Sequence, residues 1–229
     1  MRNVTFKSLL AALILPASMA QAEDVISANV SLTTDYIFRG QSQTGEHGAI
    51  QGGFDYSADS GFYAGAWAST VDFGSSAQAE VDFYGGYAGS FSESVDYDIG
   101  YIYYSYTGES ALDYQELTFS VSLSNLSLGL VYSDEYLGEG GESFVYLSSG
   151  YSISLPQEYA LDLHLGFNSA DDMDITFDGT GDDSYIDWSA VVTKNFGGAD
   201  FSLGYYGTDI GSGNELADDR LVFAISKSL

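Results

Sequence analysis

The sequence predicts an all-β fold: an up-and-down antiparallel transmembrane β-barrel of about 12 strands that follows a cleaved signal peptide. Three observations predict it. Apolar and polar residues alternate with a period of two in run after run, as in strands with one apolar and one wet face. The connections between these runs alternate between short and long. The composition, 19 Tyr, 14 Phe and 27 Gly against two Pro and no Cys, suits many paired strands and supplies no disulfide framework.

The chain opens "MRNVTFKSLLAALILPASMAQAEDV", with basic Arg2 and Lys7, an apolar run from Leu9 to Leu15, and Ala20-Gln21-Ala22 before Glu23. This is the order of a secretory leader, so residues 1–22 read as signal peptide and 23–229 as the barrel. Beyond Leu15 no apolar run approaches the roughly 18–20 residues that a spanning helix needs. Of the six Lys and Arg, two leave with the leader; the remaining four face 33 Asp and Glu, a formal charge of −29. A chain so acidic has no basic patch with which to hold nucleic acid.

The strands follow in order. Ile26, Ala28, Val30, Leu32, Tyr36 and Phe38 share one parity, with Asp35 and Arg39 on the other. Ile50, Phe54 and Tyr56 oppose Gln51 and Asp55; Tyr63, Trp67, Val71 and Phe73 oppose Ala64, Ala66, Ala68 and Asp72; Val81 and Phe83 oppose Glu80, Asp82 and Tyr84. Tyr97, Ile99 and Tyr101 oppose Asp96 and Asp98, and Leu117, Phe119 and Val121 oppose Glu116 and Ser120. After the Ser124-Asn125 turn come Leu126, Leu128 and Leu130, then Val145, Leu147 and Tyr151, then Leu161 to Phe167 with Asp162 and His164 on the reverse face. Ile186, Trp188 and Val192 oppose Asp187, and the last two runs carry Phe201, Leu203, Tyr205 and Leu221, Phe223, Ile225. Short turns such as "ADSG" and "LPQE" alternate with longer polar loops, as in outer-membrane barrels. A soluble β-sandwich also alternates apolar and polar residues, but it has no reason to alternate its loop lengths.

The inward parity is mostly Gly, Ser, Ala, Thr, Asn and Asp, too small to fill a cylinder of this size, so a narrow wet lumen is expected. Tyr84, Ile102, Tyr104 and Tyr206 point inward and would constrict it. The candidate pore-lining residues are Asp35, Arg39, Asp72, Glu80, Asp82, Asp98, Glu116, Asp162, His164, Asp187 and Arg220. Closure between the first and last strands is expected to set Arg39 beside Arg220 near the outer mouth. Two roles follow: a basic seam that faces Asp72, Glu80, Asp82 and Glu116 across the pore, or pairing with Asp35 and Asp219 to lock the seam. Lys194 and Lys227 have lipid-facing parity at periplasmic strand ends, where their stems can snorkel. His47 and His164 lack compelling partners by spacing, so neither an enzyme nor a cofactor is expected. In the fifth external loop Asp171, Asp172, Asp174, Asp178, Asp182 and Asp183 form a weak Ca²⁺ candidate. The loop fails the EF-hand pattern at Thr176 and Tyr185 and reads better as a solvated loop.

The stretches "SANVSLTTDYIFRGQSQT", "GGFDYSADSGFYAGAWASTVDFG", "EVDFYGGYAG", "DYDIGYIYYSY", "LGLVYSDEYLG", "DSYIDW" and "RLVFAISKSL" span essentially the whole mature chain. In them the sequence resembles the TorF family of porins, whose domain is also called Gcw_chp. The resemblance implies a barrel in the bacterial outer membrane with a porin role. Together with the inward acids it leads to the expectation of a passive channel for small polar solutes or ions, preferring cations. The partners implied are outer-membrane lipids, lipopolysaccharide and, during biogenesis, the barrel-assembly machinery, which reads terminal strands like "RLVFAISKSL". The alternative is a closed barrel with a structural or surface-interaction role. Solute identity and oligomeric state stay open.

Overall fold

The computed structural model describes residues 24–171, 174–177 and 179–229. The expected leader, residues 1–22, lies outside them. Twelve strands close into one barrel: β1 (Val25–Thr33), β4 (Ala49–Ser57), β5 (Phe62–Thr70), β6 (Ala79–Ser92), β7 (Val95–Thr107), β8 (Tyr114–Leu123), β9 (Leu126–Ser133), β10 (Phe144–Ser154), β11 (Tyr159–Ala170), β12 (Ser184–Phe196), β13 (Ala199–Thr208) and β14 (Arg220–Ser228). Two further strands, β2 (Ile37–Phe38) and β3 (Gln41–Ser42), form a separate hairpin.

Each barrel strand pairs antiparallel with its neighbours in sequence, and the ring is completed by β1 against β14, from Asn29↔Ser228 to Thr33↔Ala224. Closure leaves no free edge, so the strands' N–H and C=O groups are satisfied without water, which hydrocarbon requires. The turns 58–61, 93–94, 124–125, 155–158 and 197–198 gather at the end holding β1's start and β14's finish. The loops 34–48, 71–78, 108–113, 134–143, 171–183 and 209–219 gather at the other. By the usual orientation of such barrels the turns are periplasmic and the loops external.

The alternation has the expected physical meaning. Ile26 is 79% exposed, Phe54 69% and Leu221 66%, part of an exterior of large apolar side chains that only lipid can cover. In β5, however, the faces are the reverse of the expected ones. Phe62 and the alanines face outward, whereas Trp67 is 4% exposed and the Tyr63 hydroxyl donates to Asp98 inside, at 2.9 Å. Residue size misleads here: the indole is turned inward against the Tyr36 ring, edge-on at 5.5 Å. Tyr36 and Phe38 also lie elsewhere than expected. β1 stops at Thr33, and both aromatics enter the barrel interior within the 34–48 loop. The core of the molecule is therefore an aromatic cluster in the external half of the barrel, built from Tyr36, Trp67, Tyr104, Tyr106, Tyr114, Phe144, Tyr146 and Tyr185.

Candidate functional site

The site is organised by the 34–48 loop, which folds down into the barrel instead of leaving it. Ile37-Phe38 pairs with Gln41-Ser42 around the two-residue turn Arg39-Gly40, with φ of +49° and +81°. Two successive left-handed residues make a tight mirror-image turn that matches the twist of a hairpin. Gly40 is needed at its tip: a Cβ there would lie 2.4 Å from Thr208 Cγ2 and 3.0 Å from Asp187 Cβ. The hairpin thus touches the barrel wall at its own turn.

Arg39 crosses the lumen. Its Nη2 donates to Glu116 Oε2 at 2.9 Å and its Nη1 lies 2.8 Å from Glu116 Oε1, an ion pair with one charge-assisted hydrogen bond and side chains 2% and 1% exposed. Glu116 Oε2 also accepts from the Tyr104 hydroxyl at 2.9 Å. The guanidinium carbon sits 4.6 Å from the Phe38 ring centre, 4.7 Å from those of Phe144 and Tyr146, and 5.5 Å from that of Tyr136. Such a charge, out of water, is tolerable because the carboxylate and the ring faces replace its solvation. Β-strand order puts β8 nearly opposite β1, so the pair ties the first loop to the far wall.

The remaining contacts fix the hairpin from above and from the sides. Tyr36 Oη donates to Glu80 Oε1 at 3.0 Å, and Tyr185 Oη donates to the Arg39 carbonyl at 3.0 Å. Gln41 Nε2 donates to the Ile175 carbonyl and to Tyr185 Oη, while Asn214 Nδ2 donates to Gln41 Oε1 and to the Thr176 carbonyl. Ile175, Thr176 and Asn214, from two external loops, therefore close over the hairpin, and Ile175 is buried. Small cavities of about 40 and 20 Å³ are lined by Arg39 and Tyr146. The outer half of the lumen is filled.

The expected site residues divide accordingly. Glu80, Asp82 and Glu116 are brought together in the filled half, all at most 2% exposed. Asp98 and Asp162 face the interior of the periplasmic half, with Asp98 accepting from Tyr63 and Asp162 from Ser152 at 2.6 Å; Asp55 joins them there, bound by Tyr84. Asp187 is held by Asn168 Nδ2 at 2.9 Å and lies 3.1 Å from His164 Nε2, which is also 2.7 Å from the Tyr146 hydroxyl. Sequence spacing did not suggest the Asp187–His164 contact; a diagonal across the β11–β12 register creates it. The Tyr146 ring reaches this group by lying over Gly166, where a Cβ would come within 2.4 Å of its hydroxyl.

Three expectations are corrected. Arg39 is not a wall residue beside Arg220, because the chain turns inward four residues earlier; it meets Glu116 on the opposite wall. Arg220 stays at the seam, 3.0 Å from Asp35 Oδ2 and 3.2 Å from Glu46, so Asp35 fastens the loop's root rather than lining a pore; Asp219 instead accepts from Tyr205. Asp72 lies past the end of β5, exposed, capping Gly74 N at 3.0 Å. In the fifth loop Asp172 and Asp178 lie outside the described residues. Of the others, Asp171 accepts from Ser143, Asp174 from Thr176 and Phe177, and Asp182 from Thr180. Among the described residues no three His, Asp or Glu are grouped to hold a metal. Sequence reasoning missed Tyr36, Gln41, Tyr185 and Asn214; the one available signal was the Arg39-Gly40 pair between two short alternating runs.

A closed antiparallel barrel with a lipid-facing belt and an inward-folded external loop defines the class: an outer-membrane β-barrel. Over residues 17–229 the sequence matches the family described as "Bacterial protein of unknown function (Gcw_chp)", and the chain belongs to that family. No curated protein matches it. Among solved structures it is similar to the KdgM porin, at 8% identity and a TM-score of 0.59 over 88% of this chain and 97% of that one. The NanC porin is similar at 10% identity and a TM-score of 0.58, over 88% and 98%. A KdgM porin in complex with disordered oligogalacturonate gives 8% identity and a TM-score of 0.55, over 89% and 98%. At such identities the likeness is one of fold.

Proposed function

We propose that the protein is a narrow diffusion channel for small polar solutes that prefers cations, with the 34–48 hairpin as its occluding element. The observation that carries this is the charge of the periplasmic half: Asp55, Asp98 and Asp162 face its interior, and among the described residues the two arginines are both in the external half. Carboxylates without a balancing cation favour entry of positive charge. Tyr63 and Tyr84 reach into the same half, so the passage beside these acids is narrow. The oligogalacturonate named for one structural neighbour is a polyanion, and these acids would repel it, so that solute is not carried over.

The hairpin is held by hydrogen bonds, ring contacts and the ion pairs of Arg39 with Glu116 and of Arg220 with Asp35 and Glu46, all of which can be released without breaking a covalent bond. The second reading, a permanently sealed barrel, is favoured by the interlocking of Gln41 and Asn214 over the hairpin. Planar-bilayer recording of the purified barrel under a KCl gradient separates them. Discrete steps whose reversal potential has the cation sign are expected. An anion-sign potential would overturn the selectivity. Silence, both in the folded native protein and in a variant with 36–43 replaced by a Gly-Ser linker, would leave the sealed barrel.

A further inference from the structure

The described residues include only two lysines, Lys194 and Lys227, and both project from the outside of the barrel at its periplasmic end. They belong to one surface. Register places Tyr159, Lys194, Phe201 and Ile225 in a single transverse row across β11 to β14, with Leu161, Val192, Leu203 and Phe223 in the row above. Lys227 follows Ile225 by two positions, on the same face and nearer the membrane edge. Between the rows lies a shallow groove of about 510 Å³, lined by Tyr159, Lys194, Phe196, Phe201, Leu203 and Phe223.

Lys194 is only partly satisfied. Its ammonium donates to the Gln157 carbonyl at 2.9 Å and rests 4.3 Å from the Tyr159 ring centre. Neither lysine forms an ion pair among the described residues, in a protein with 33 carboxylic side chains to choose from. An ammonium has three donors, so Lys194 retains capacity for an anion at the rim. Two strand spacings of about 4.8 Å separate the lysine-bearing strands, putting the charges roughly 10 Å apart laterally, a span suited to one headgroup.

We infer that this groove is a binding site for one anionic phospholipid of the periplasmic leaflet. Its phosphate sits between Lys194 and Lys227, and an acyl chain lies along Phe201, Leu203 and Phe223. Charge complementarity selects this occupant: on a strongly acidic barrel, the two lysines of the described residues are both on this outward face, Lys194 in the groove's lining and Lys227 one row nearer the membrane edge on β14. Simple snorkelling explains a lysine at either position but gives no reason for Lys194 to line a concave aromatic surface with a second lysine one row below it. The inference is independent of the channel reading, since it concerns the opposite side of the wall.

Native mass spectrometry of the full mature barrel in detergent tests it, with phosphatidylglycerol and phosphatidylcholine of identical chains as probes. One phosphatidylglycerol per barrel is expected, retained at least fivefold better than phosphatidylcholine. Lys194→Ala and Lys227→Ala should each weaken retention by about fivefold, and the double variant by about 25-fold. Heat-modifiable gel migration, which reports the folded barrel, should not change. Equal retention of both lipids, unchanged retention in the double variant, or a doubled protein mass showing a second barrel on this face would each overturn the assignment.

Discussion

Replacing Arg39 by Met is the most direct perturbation of the occluding hairpin. It keeps an unbranched chain among Phe38, Tyr136, Phe144 and Tyr146 but removes the hydrogen bond and the second charge contact to Glu116. With side chains 2% and 1% exposed, the pair is fully out of water, and removing one partner strands the other's charge. Such a loss costs about 3–5 kcal/mol. Even ~3 kcal/mol lowers the ratio of docked to released hairpin by about 150-fold, at 1.4 kcal/mol per tenfold. The double variant Arg39→Met/Glu116→Leu removes the stranded carboxylate as well, and should recover most of the docking because an apolar pair can replace a buried ion pair at little net cost. The chain has no cysteine, so a single Ile37→Cys probe reports hairpin release through its labelling rate with an impermeant thiol reagent. Labelling and open-channel time should both rise about 100-fold in the single variant and fall back in the double. If the single variant labels and conducts like the parent, or the double stays as open as the single, the ion pair is not what holds the hairpin.

Gly40→Ala introduces a side chain at φ +81° with Thr208 Cγ2 2.4 Å away, and should loosen the hairpin by about 1–3 kcal/mol, read as a lower melting temperature and faster Ile37→Cys labelling. Asp98→Asn with Asp162→Asn should move the reversal potential toward zero without changing the fold, because only the charge of two inward groups is removed. Glu109, in the loop between β7 and β8, is held below the usual carboxylate range by hydrogen bonds from Ser75, the Ala77 and Ser76 amides and the Ser76 hydroxyl. A depressed carboxylate stabilises the folded loops above its ordinary titration range and loses that contribution as pH falls through its lowered value. Amide protection at Ser76 and Ala77, taken relative to the intrinsic exchange rate at each pH, should therefore be high at neutral pH and fall on acidification, and Glu109→Gln should remove that fall.

Most of the barrel was legible because hydrocarbon favours large apolar residues at the outward positions of the strands. Leu117, Phe119 and Val121 on β8, or Leu161 to Phe167 on β11, follow this preference, and the acids opposite them point inward as their parity requires. β5 defeated the same reasoning because Ala64, Ala66 and Ala68 face lipid while Trp67 serves an interior contact. That contact is with Tyr36, which belongs to a hairpin invisible to a two-residue period: alternation from Ile26 runs smoothly through Phe38, although the ladder stops at Thr33. The candidate site was legible in part. Glu80, Asp82 and Glu116 were recognised as a group, but Arg39 was placed on the wrong wall, because only a left-handed Arg39-Gly40 turn reverses the chain inside the lumen. Nothing local in "RG" distinguishes that turn from a strand end.

The Asp35 carboxylate accepts from Ser42 at 2.7 Å and Thr44 at 2.8 Å with one oxygen, and from Arg220 at 3.0 Å with the other. One side chain is thus the hinge pin of the hairpin and the rivet of the ring. Its consequence is temporal. Until β14 swings against β1, Arg220 is absent, and the hairpin root has no counter-charge to set its angle into the cylinder. The pairing of β14 with β1 that closes the ring is thus also what completes the contacts at the hairpin's root.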